Sequence, residues 1–325
     1  MPLSLPSSPF SPDPRARESA RDRALVLGGG GSTGNAWMLG VLAGLLHEGV
    51  DAAAAELLIG TSAGATTAAQ ISFRSPLELH EATIADRRTG TAGPAGAAGA
   101  AGTAGPTGIG RAPRPAHAAV AEQLDRTSRI IAAAADPADM RRSMGAAAMQ
   151  LDGASDPERS ARWRTVVASR LPDQRWPARD LRIVAVDAAD GSPVVFDRDS
   201  GVGLADAVAA SCASGAPHHT CGRFFIDGGY RRNENADLAV GSERVLVLSP
   251  FGGRTRHPLE WRMQLAAQTD DLRAAGSTVE VVGPDEDTAR LIGANAMDPS
   301  LRPDAARAGF AQGVRLADRL GAFWN

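Results

Sequence analysis

Short apolar runs alternate along the chain with segments whose apolar or small residues recur at helical spacing. The apolar runs predict strands at residues 24–27, 57–59, 181–187, 224–226, 245–248 and 278–282, with residues 193–196 as the hairpin partner of 181–187. The helical spacing predicts helices at residues 36–47, 65–70, 116–150 with a break near 136–137, 203–213, 258–275 and 305–323, and residues 71–88 are expected to continue as helix and loop. Strands that alternate with helices predict an α/β fold with a largely parallel sheet.

Two segments break this alternation. Residues 1–23 are rich in proline, serine and arginine and lack the apolar region of a signal peptide, so we expect a disordered N-terminal tail. Residues 89–115 form a glycine-rich insertion in which glycine recurs at every third position from Gly90 to Gly108. Only Pro94 and Pro106 lie inside that run, which favours a flexible surface loop over a collagen-like triple helix. Residues 24–325 are expected to form one domain.

Composition narrows the function classes. The chain has 325 residues, of which 43% are hydrophobic, and its net charge is −3, without the basic balance of a nucleic-acid-binding protein. All 34 basic residues are arginine, which excludes Schiff-base and P-loop lysine chemistry. Two cysteines are too few for a disulfide framework, and no apolar run reaches the ~18 residues that span a membrane. We therefore expect a cytoplasmic globular protein with no transmembrane segment and no nucleic-acid partner.

The first chemical motif is Gly60-Thr61-Ser62-Ala63-Gly64, which reads G-x-S-x-G and stands between a predicted strand and a predicted helix. This pattern is typical of a nucleophile elbow, a tight turn that presents a serine hydroxyl above the edge of a sheet. Flanking glycines let the backbone pass where a Cβ atom would clash, and the N–H groups that open the next helix attract developing negative charge. A structural turn with an incidental serine is the alternative interpretation.

A second glycine-rich turn, residues 28–34, joins the first predicted strand to the first predicted helix, and successive N–H groups there form an anion site. The spacing of Gly29, Gly31 and Gly34 matches the dinucleotide fingerprint G-x-G-x-x-G, but the same loop can serve as an oxyanion hole. A dinucleotide site requires an acidic residue at the end of the second strand, where this chain has the G-x-S-x-G turn. We therefore favour the oxyanion hole over a dinucleotide site or a purely structural loop.

The third motif closes a strand, because the apolar residues 224–226 run into Asp227-Gly228-Gly229. Taken alone, an Asp-Gly pair indicates a hairpin turn. Together, the glycine loop, the G-x-S-x-G turn and the strand-ending D-G-G resemble the patatin-like phospholipase family in order and form. Residues 209–213 and 235–238 add to the resemblance, which spans roughly residues 24–240. The chain departs from the family's pattern at Thr33, where arginine or lysine is usual, and at residues 214–219, which replace a proline-rich turn.

The resemblance implies a three-layer α/β fold and a serine acyl hydrolase. The implied substrates are phospholipid or lysophospholipid carboxylic esters at a membrane or micelle surface, with no cofactor and no metal. Ser62 would be the nucleophile and Asp227 the base of a dyad that forms an acyl-serine intermediate. The resemblance also implies an oxyanion hole built from the N–H groups of Gly29, Gly30, Gly31 and Ala63. The remaining motif glycines are Gly34, Gly60, Gly64, Gly228 and Gly229. Head group, acyl length and oligomeric state are not indicated.

Other assignments stay open on the sequence. An α/β-hydrolase triad runs Ser, Asp, His in chain order, which Ser62, Asp227 and His257 satisfy, although an elbow after the second predicted strand is early for that fold. A non-catalytic lipid- or nucleotide-binding protein would keep the fold without activity. Thiol and imidazole groups suit zinc, but the spacing of the candidate cluster is not a common zinc pattern, and we expect no metal. That cluster is Cys212, His218, His219 and Cys221.

Overall fold

The computed structural model describes residues 21–86, 116–293 and 295–325. Residues 1–20 of the predicted tail and the whole predicted insertion, residues 89–115, lie outside the described part of the chain. Residues 21–23 belong to the first strand rather than to the tail. The reason is their pairing: Arg21 pairs with Ser242 and Arg23 with Arg244, so the ladder extends beyond the apolar run that marks the strand in the sequence.

Eight strands of the described chain form one mixed sheet. They are β1 Arg21–Leu27, β2 Leu57–Thr61, β3 Asp180–Asp187, β4 Pro193–Phe196, β5 His218–Thr220, β6 Arg223–Asp227, β7 Ser242–Leu248 and β8 Thr278–Val282. Hydrogen-bonded neighbours follow the path β5-β6-β3-β2-β1-β7-β8, and β4 also pairs with β3. Strands β3, β2, β1, β7 and β8 are parallel, whereas β4 and β6 run antiparallel to β3. The predicted α/β class and the β3–β4 hairpin are therefore confirmed.

Ten α-helices of the described residues flank this sheet. They are α1 Gly31–His47, α2 Ala63–Ile71, α3 Pro76–Ala85, α4 Ala116–Ala133, α5 Pro137–Met149, α6 Pro157–Ala168, α7 Leu204–Ser211, α8 Leu265–Ala274, α9 Glu286–Ile292 and α10 Arg302–Trp324. The predicted break between α4 and α5 is confirmed. Asp136 caps α5 by accepting a hydrogen bond from the Asp139 N–H at 2.8 Å, and Pro137 occupies the first turn.

The layers follow from the alternation of side chains along the strands. Leu25 and Leu27 of β1 join an apolar cluster with residues of α1, α2, α7 and α10, whereas Ala24 and Val26 join a second cluster with residues of α8. Helix α1 lies so close to α10 that a Cβ atom at Gly40 would overlap the Ala306 carbonyl oxygen. Both faces of the parallel strands are thus buried, which explains why they are continuous apolar runs in the sequence.

Some elements differ from the sequence prediction. Residues 258–275 are not one helix, because Arg262 adopts a left-handed backbone with φ of 51° after a short turn, and α8 begins only at Leu265. Strand β5 and helices α6 and α9 are absent from the prediction. Helix α6 does carry a recognisable start signal: Asp156 caps it and Pro157 opens it.

Candidate active site

Ser62 occupies a strained turn between β2, which ends at Thr61, and α2, which begins at Ala63. Its backbone angles are φ 53° and ψ −115°, and such strain typically costs about 1–3 kcal/mol. A Cβ atom at Gly64 would overlap the Leu27 carbonyl oxygen, so α2 can pack against the end of β1 only with glycine at this position. Ser62 is partly exposed, whereas every other residue from Thr61 to Gln70 is buried. The turn therefore presents this one side chain outward.

The register of the sheet brings Asp227 to Ser62. Strand β4 pairs along one edge of β3, while β2 and β6 pair with successive stretches of the other edge. Strand β2 reaches the junction with Thr61 opposite Val184, and β6 arrives from the opposite direction with Asp227 opposite Ala185. The two strands thus meet end to end, and Ser62 and Asp227 stand at the point where they meet.

Asp227 is 7% exposed, and its carboxyl accepts a hydrogen bond from the Gly229 N–H at 2.8 Å. Burial raises the pKa of Asp227 from 3.8 to about 6, although this hydrogen bond and the interaction with the Ser62 side chain act in the opposite direction. A carboxylate with this pKa is ionised at neutral pH and is a stronger base than an exposed aspartate. The two residues that the motifs single out are therefore neighbours whose side chains interact.

The N-terminus of α2 offers an N–H group next to the Ser62 side chain. The first hydrogen bond of this helix joins the Thr66 N–H to the Ser62 carbonyl at 3.2 Å. The N–H groups of Ala63, Gly64 and Ala65 consequently have no acceptor within the helix. The N–H group of Ala63 directly follows the serine. It is therefore placed to donate to the oxyanion that forms when the Ser62 hydroxyl attacks a carbonyl carbon.

The glycine loop lies beside this turn, because Leu27 of β1 pairs with Gly60 of β2. The Gly29 N–H donates to the Asn233 carbonyl at 3.0 Å and is not free for an oxyanion, so the prediction for Gly29 is corrected. Helix α1 begins at Gly31, and its first hydrogen bond joins the Gly34 N–H to the Gly30 carbonyl at 3.0 Å. Gly30 and Gly31 remain the candidate donors of this loop.

The three histidines that the sequence offers as candidates, His218, His219 and His257, are engaged elsewhere. His257 Nδ1 lies 3.1 Å from the Thr255 hydroxyl, and burial lowers the pKa of His257 to about 4. His218 Nε2 lies 3.1 Å from an Asp206 carboxylate oxygen, and the His219 ring packs against Phe224. Within residues 21–86, 116–293 and 295–325, no histidine side chain that is described hydrogen-bonds Ser62 or Asp227. The arrangement of an α/β-hydrolase triad is not present there.

The cysteine and histidine cluster is not assembled either. The Cys212 thiol donates to the Ser62 carbonyl at 3.2 Å, His218 pairs with Asp206, and Cys221 is exposed. Among the residues that the structure describes, no group of three or more His, Cys, Asp or Glu side chains is arranged to hold a metal ion.

Two residues near the site, Tyr230 and Asn233, belong to none of the three sequence motifs. Tyr230 follows the D-G-G motif and donates from its hydroxyl to the Ser214 carbonyl at 2.9 Å. Burial, and then the charge of Asp227, raise the pKa of Tyr230 to about 12, so it stays a hydrogen-bond donor. Asn233 holds the glycine loop on two sides, because its carbonyl accepts from the Gly29 N–H and its side-chain amide donates to the Gly29 carbonyl at 3.3 Å.

A cavity of about 340 Å³ lies between α4 and the segment that follows β7. Its lining residues are Ser128, Ile131, Ala132, Arg256, His257 and Pro258. Ile131 also belongs to an apolar cluster with Met140, Met144 and Ile226. This buried cluster reaches the end of β6, where Ile226 precedes Asp227, and Tyr230 packs against it.

Neither a scan against protein-family models nor a search of curated proteins finds a match for this chain. The resemblance to patatin-like phospholipases thus rests on the sequence motifs. Among the described helices, none combines the length and the apolar character that a bilayer crossing requires.

Proposed function

We propose that this protein is a serine acyl hydrolase that cleaves carboxylic esters of lipids through Ser62 and Asp227. The proposal is carried by one observation: β2 and β6 meet end to end, so that Ser62, in its strained turn, stands beside the buried carboxyl of Asp227, and the two side chains interact. A serine hydroxyl is a poor nucleophile until a base takes its proton, and a carboxylate whose pKa is raised to about 6 is suited to that task at neutral pH.

The reaction needs only these two side chains and water. The Ser62 oxygen attacks the ester carbonyl carbon while its proton passes to Asp227. Collapse of the tetrahedral intermediate breaks the bond to the alcohol, which leaves with the proton from Asp227, and the acyl group remains on Ser62. Water then transfers a proton to Asp227 as it attacks the acyl carbonyl. The second collapse releases the fatty acid, and the proton returns to Ser62.

The oxyanion of each tetrahedral intermediate would be held by backbone N–H groups. Ala63, at the N-terminus of α2, and Gly30 and Gly31, at the start of α1, are the donors that the hydrogen bonding leaves available. One such donor contributes roughly 3 kcal/mol to the stabilisation of the transition state. The partial positive charge at both helix N-termini acts in the same direction.

Lipid esters are proposed as substrates on two grounds. The motifs resemble those of a family that acts on lipids, and an apolar cluster that includes Ile226 lies next to Asp227, where an acyl chain would need apolar neighbours. The substrate class is tested by comparing hydrolysis of phospholipids, lysophospholipids and short p-nitrophenyl esters. Faster hydrolysis of the short p-nitrophenyl esters than of every phospholipid and lysophospholipid tested would contradict a lipid substrate. The hydrolase proposal itself would remain intact.

The nucleophile is tested with a fluorophosphonate probe, which reacts only with an activated serine. We expect the wild-type protein to be labelled, the Ser62→Ala variant to be unlabelled and inactive, and the variant at exposed Ser155, Ser155→Ala, to behave as the wild type. Circular dichroism establishes that each variant is folded. Labelling that persists in Ser62→Ala would remove Ser62 from this role. A wild-type protein that binds lipid vesicles without being labelled would instead favour a non-catalytic lipid-binding protein.

A further inference from the structure

Three consecutive residues at the end of α7 each bind one member of the dyad. The Ser211 hydroxyl oxygen accepts a hydrogen bond from the Ser62 N–H at 2.9 Å. The Cys212 thiol donates to the Ser62 carbonyl at 3.2 Å. The Ala213 carbonyl accepts from the Asp227 N–H at 3.0 Å. We refer to Ser211-Cys212-Ala213 as the 211–213 segment.

The chemistry of these side chains suits a fixed role. Ser211 is completely buried, so its hydroxyl has no water to exchange partners with. Burial, and then the charge of Asp227, raise the pKa of Cys212 to about 12, so the thiol stays protonated and can donate. The chain's other cysteine, Cys221, is exposed and touches neither Ser62 nor Asp227.

The backbone of Ser62 needs such partners. At φ 53° and ψ −115° it lies outside the regions that residues with side chains adopt readily, and strained residues persist where surrounding contacts fix them. The 211–213 segment binds Ser62 on both sides, at its N–H and at its carbonyl. It binds Asp227 as well, so a single rigid piece of chain connects the two residues.

We propose that the 211–213 segment is a positioning device that keeps Ser62 in its strained turn and sets its distance from Asp227. The effect on catalysis rests on the proposed function, whereas the effect on the backbone of Ser62 does not. If the segment only filled space, a variant that folds would retain the wild-type chemistry. If it positions the dyad, loss of a single hydrogen bond slows the chemical step and leaves substrate binding unchanged.

The test compares variants at matched residue types. Ser211→Ala removes the acceptor for the Ser62 N–H, and Ser214→Ala is its control, because the exposed Ser214 contributes only its carbonyl to the hydrogen bonds described above. Cys212→Ala removes the donor to the Ser62 carbonyl, Cys212→Ser restores a hydroxyl donor, and Cys221→Ala is the control. For each protein we would measure the rate of fluorophosphonate labelling, kcat and KM, the melting temperature, and the hydrogen exchange of the Ser62 amide.

We expect Ser211→Ala and Cys212→Ala to be labelled about tenfold to a hundredfold more slowly, with kcat reduced in proportion and KM unchanged. Cys212→Ser should recover most of the rate, and both controls should match the wild type. The Ser62 amide should exchange roughly fivefold faster in Ser211→Ala than in Ser214→Ala, because its acceptor is gone. The slower labelling should be seen well below the melting temperature of each variant.

Two results would overturn the inference. One is wild-type labelling by folded Ser211→Ala; the other is a Cys212→Ser variant as slow as Cys212→Ala. A wild-type protein that is not labelled at all would refute the proposed function instead. The positioning of Ser62 would then be judged by hydrogen exchange alone, and equal exchange in Ser211→Ala and Ser214→Ala would refute it. If Ser211→Ala does not fold, the Cys212 pair decides the question.

Discussion

Replacement of Asp227 by asparagine should make the protein more stable and nearly inactive. The amide has the shape of the carboxyl and keeps an oxygen for the Gly229 N–H, which donates to Asp227 at 2.8 Å in the wild type. It cannot take the proton of Ser62, and loss of a general base reduces a rate by about 10²–10⁴-fold. It also carries no charge to bury, so the unfavourable burial of the carboxylate is removed.

The size of the stability change follows from the pKa of Asp227. Folding raises this pKa from 3.8 to about 6, and a shift of about two pKa units corresponds to about 3 kcal/mol. Because the folded state holds the proton more tightly than the unfolded state, the unfolding free energy of the wild type falls as pH rises from about 4 to about 6, and this contribution is constant above that range. Asparagine is neutral throughout and shows no such fall.

Urea unfolding of the wild type, Asp227→Asn and Asp318→Asn between pH 4 and pH 7.5 tests this reasoning. The stability advantage of Asp227→Asn should grow by about 3 kcal/mol between pH 4 and pH 7. The same replacement at Asp318, which is exposed on α10, should show an almost constant difference from the wild type. An advantage for Asp227→Asn that does not change with pH would refute the burial argument, and wild-type hydrolysis by this variant would refute its role as base.

Three further predictions concern the same site. The kcat/KM of ester hydrolysis should rise about tenfold per pH unit up to about pH 6 and then level off, as Asp227 loses its proton; a rate that is unchanged down to pH 5 would contradict this assignment. In urea unfolding, Gly64→Ala should lower the unfolding free energy by about 3 kcal/mol or more, because the new Cβ atom would overlap the Leu27 carbonyl. The control Gly203→Ala should change it by less than about 1 kcal/mol, because the atom nearest to its Cβ would lie 3.5 Å away. His257→Ala should leave kcat within about threefold of the wild type, since His257 contacts Thr255 rather than the dyad; a loss near that of Asp227→Asn would restore the triad.

The sequence is sufficient to predict the sheet because its parallel strands are buried on both faces. Runs such as residues 245–248 are apolar without interruption, which is typical of a strand that lies between two layers. The elements that escape prediction are those without such a pattern. Strand β5 is three residues long and contains two histidines, and it is a strand only because β6 pairs with it. Long-range pairing of this kind leaves no local signal.

For the candidate site, too, the sequence predicts some features and not others. Ser62 and Asp227 can be selected from their motifs, since each stands at the end of an apolar run beside glycine. Their contact cannot be read from the sequence, because it depends on β2 and β6 meeting on one edge of β3. Likewise, the Gly29 N–H is not free to bind an oxyanion because it donates to the carbonyl of Asn233, a residue about 200 positions away in the sequence. Motifs identify reactive groups, but the partners of backbone N–H groups are properties of the fold.

Because β2 and β6 meet end to end, Ser62 and Asp227 belong to two parts of the sheet that differ in size. Ser62 belongs to the parallel core, whereas Asp227 belongs to the β5–β6 hairpin, whose strand pairing with the core is confined to the end of β3. Packing holds the hairpin there, because the Phe225 and Ile226 side chains are completely buried in two apolar clusters. Movement of Asp227 away from Ser62 would expose both side chains to water, which is unfavourable. The distance between the base and the nucleophile of the proposed function therefore depends on how firmly one hairpin packs against the core.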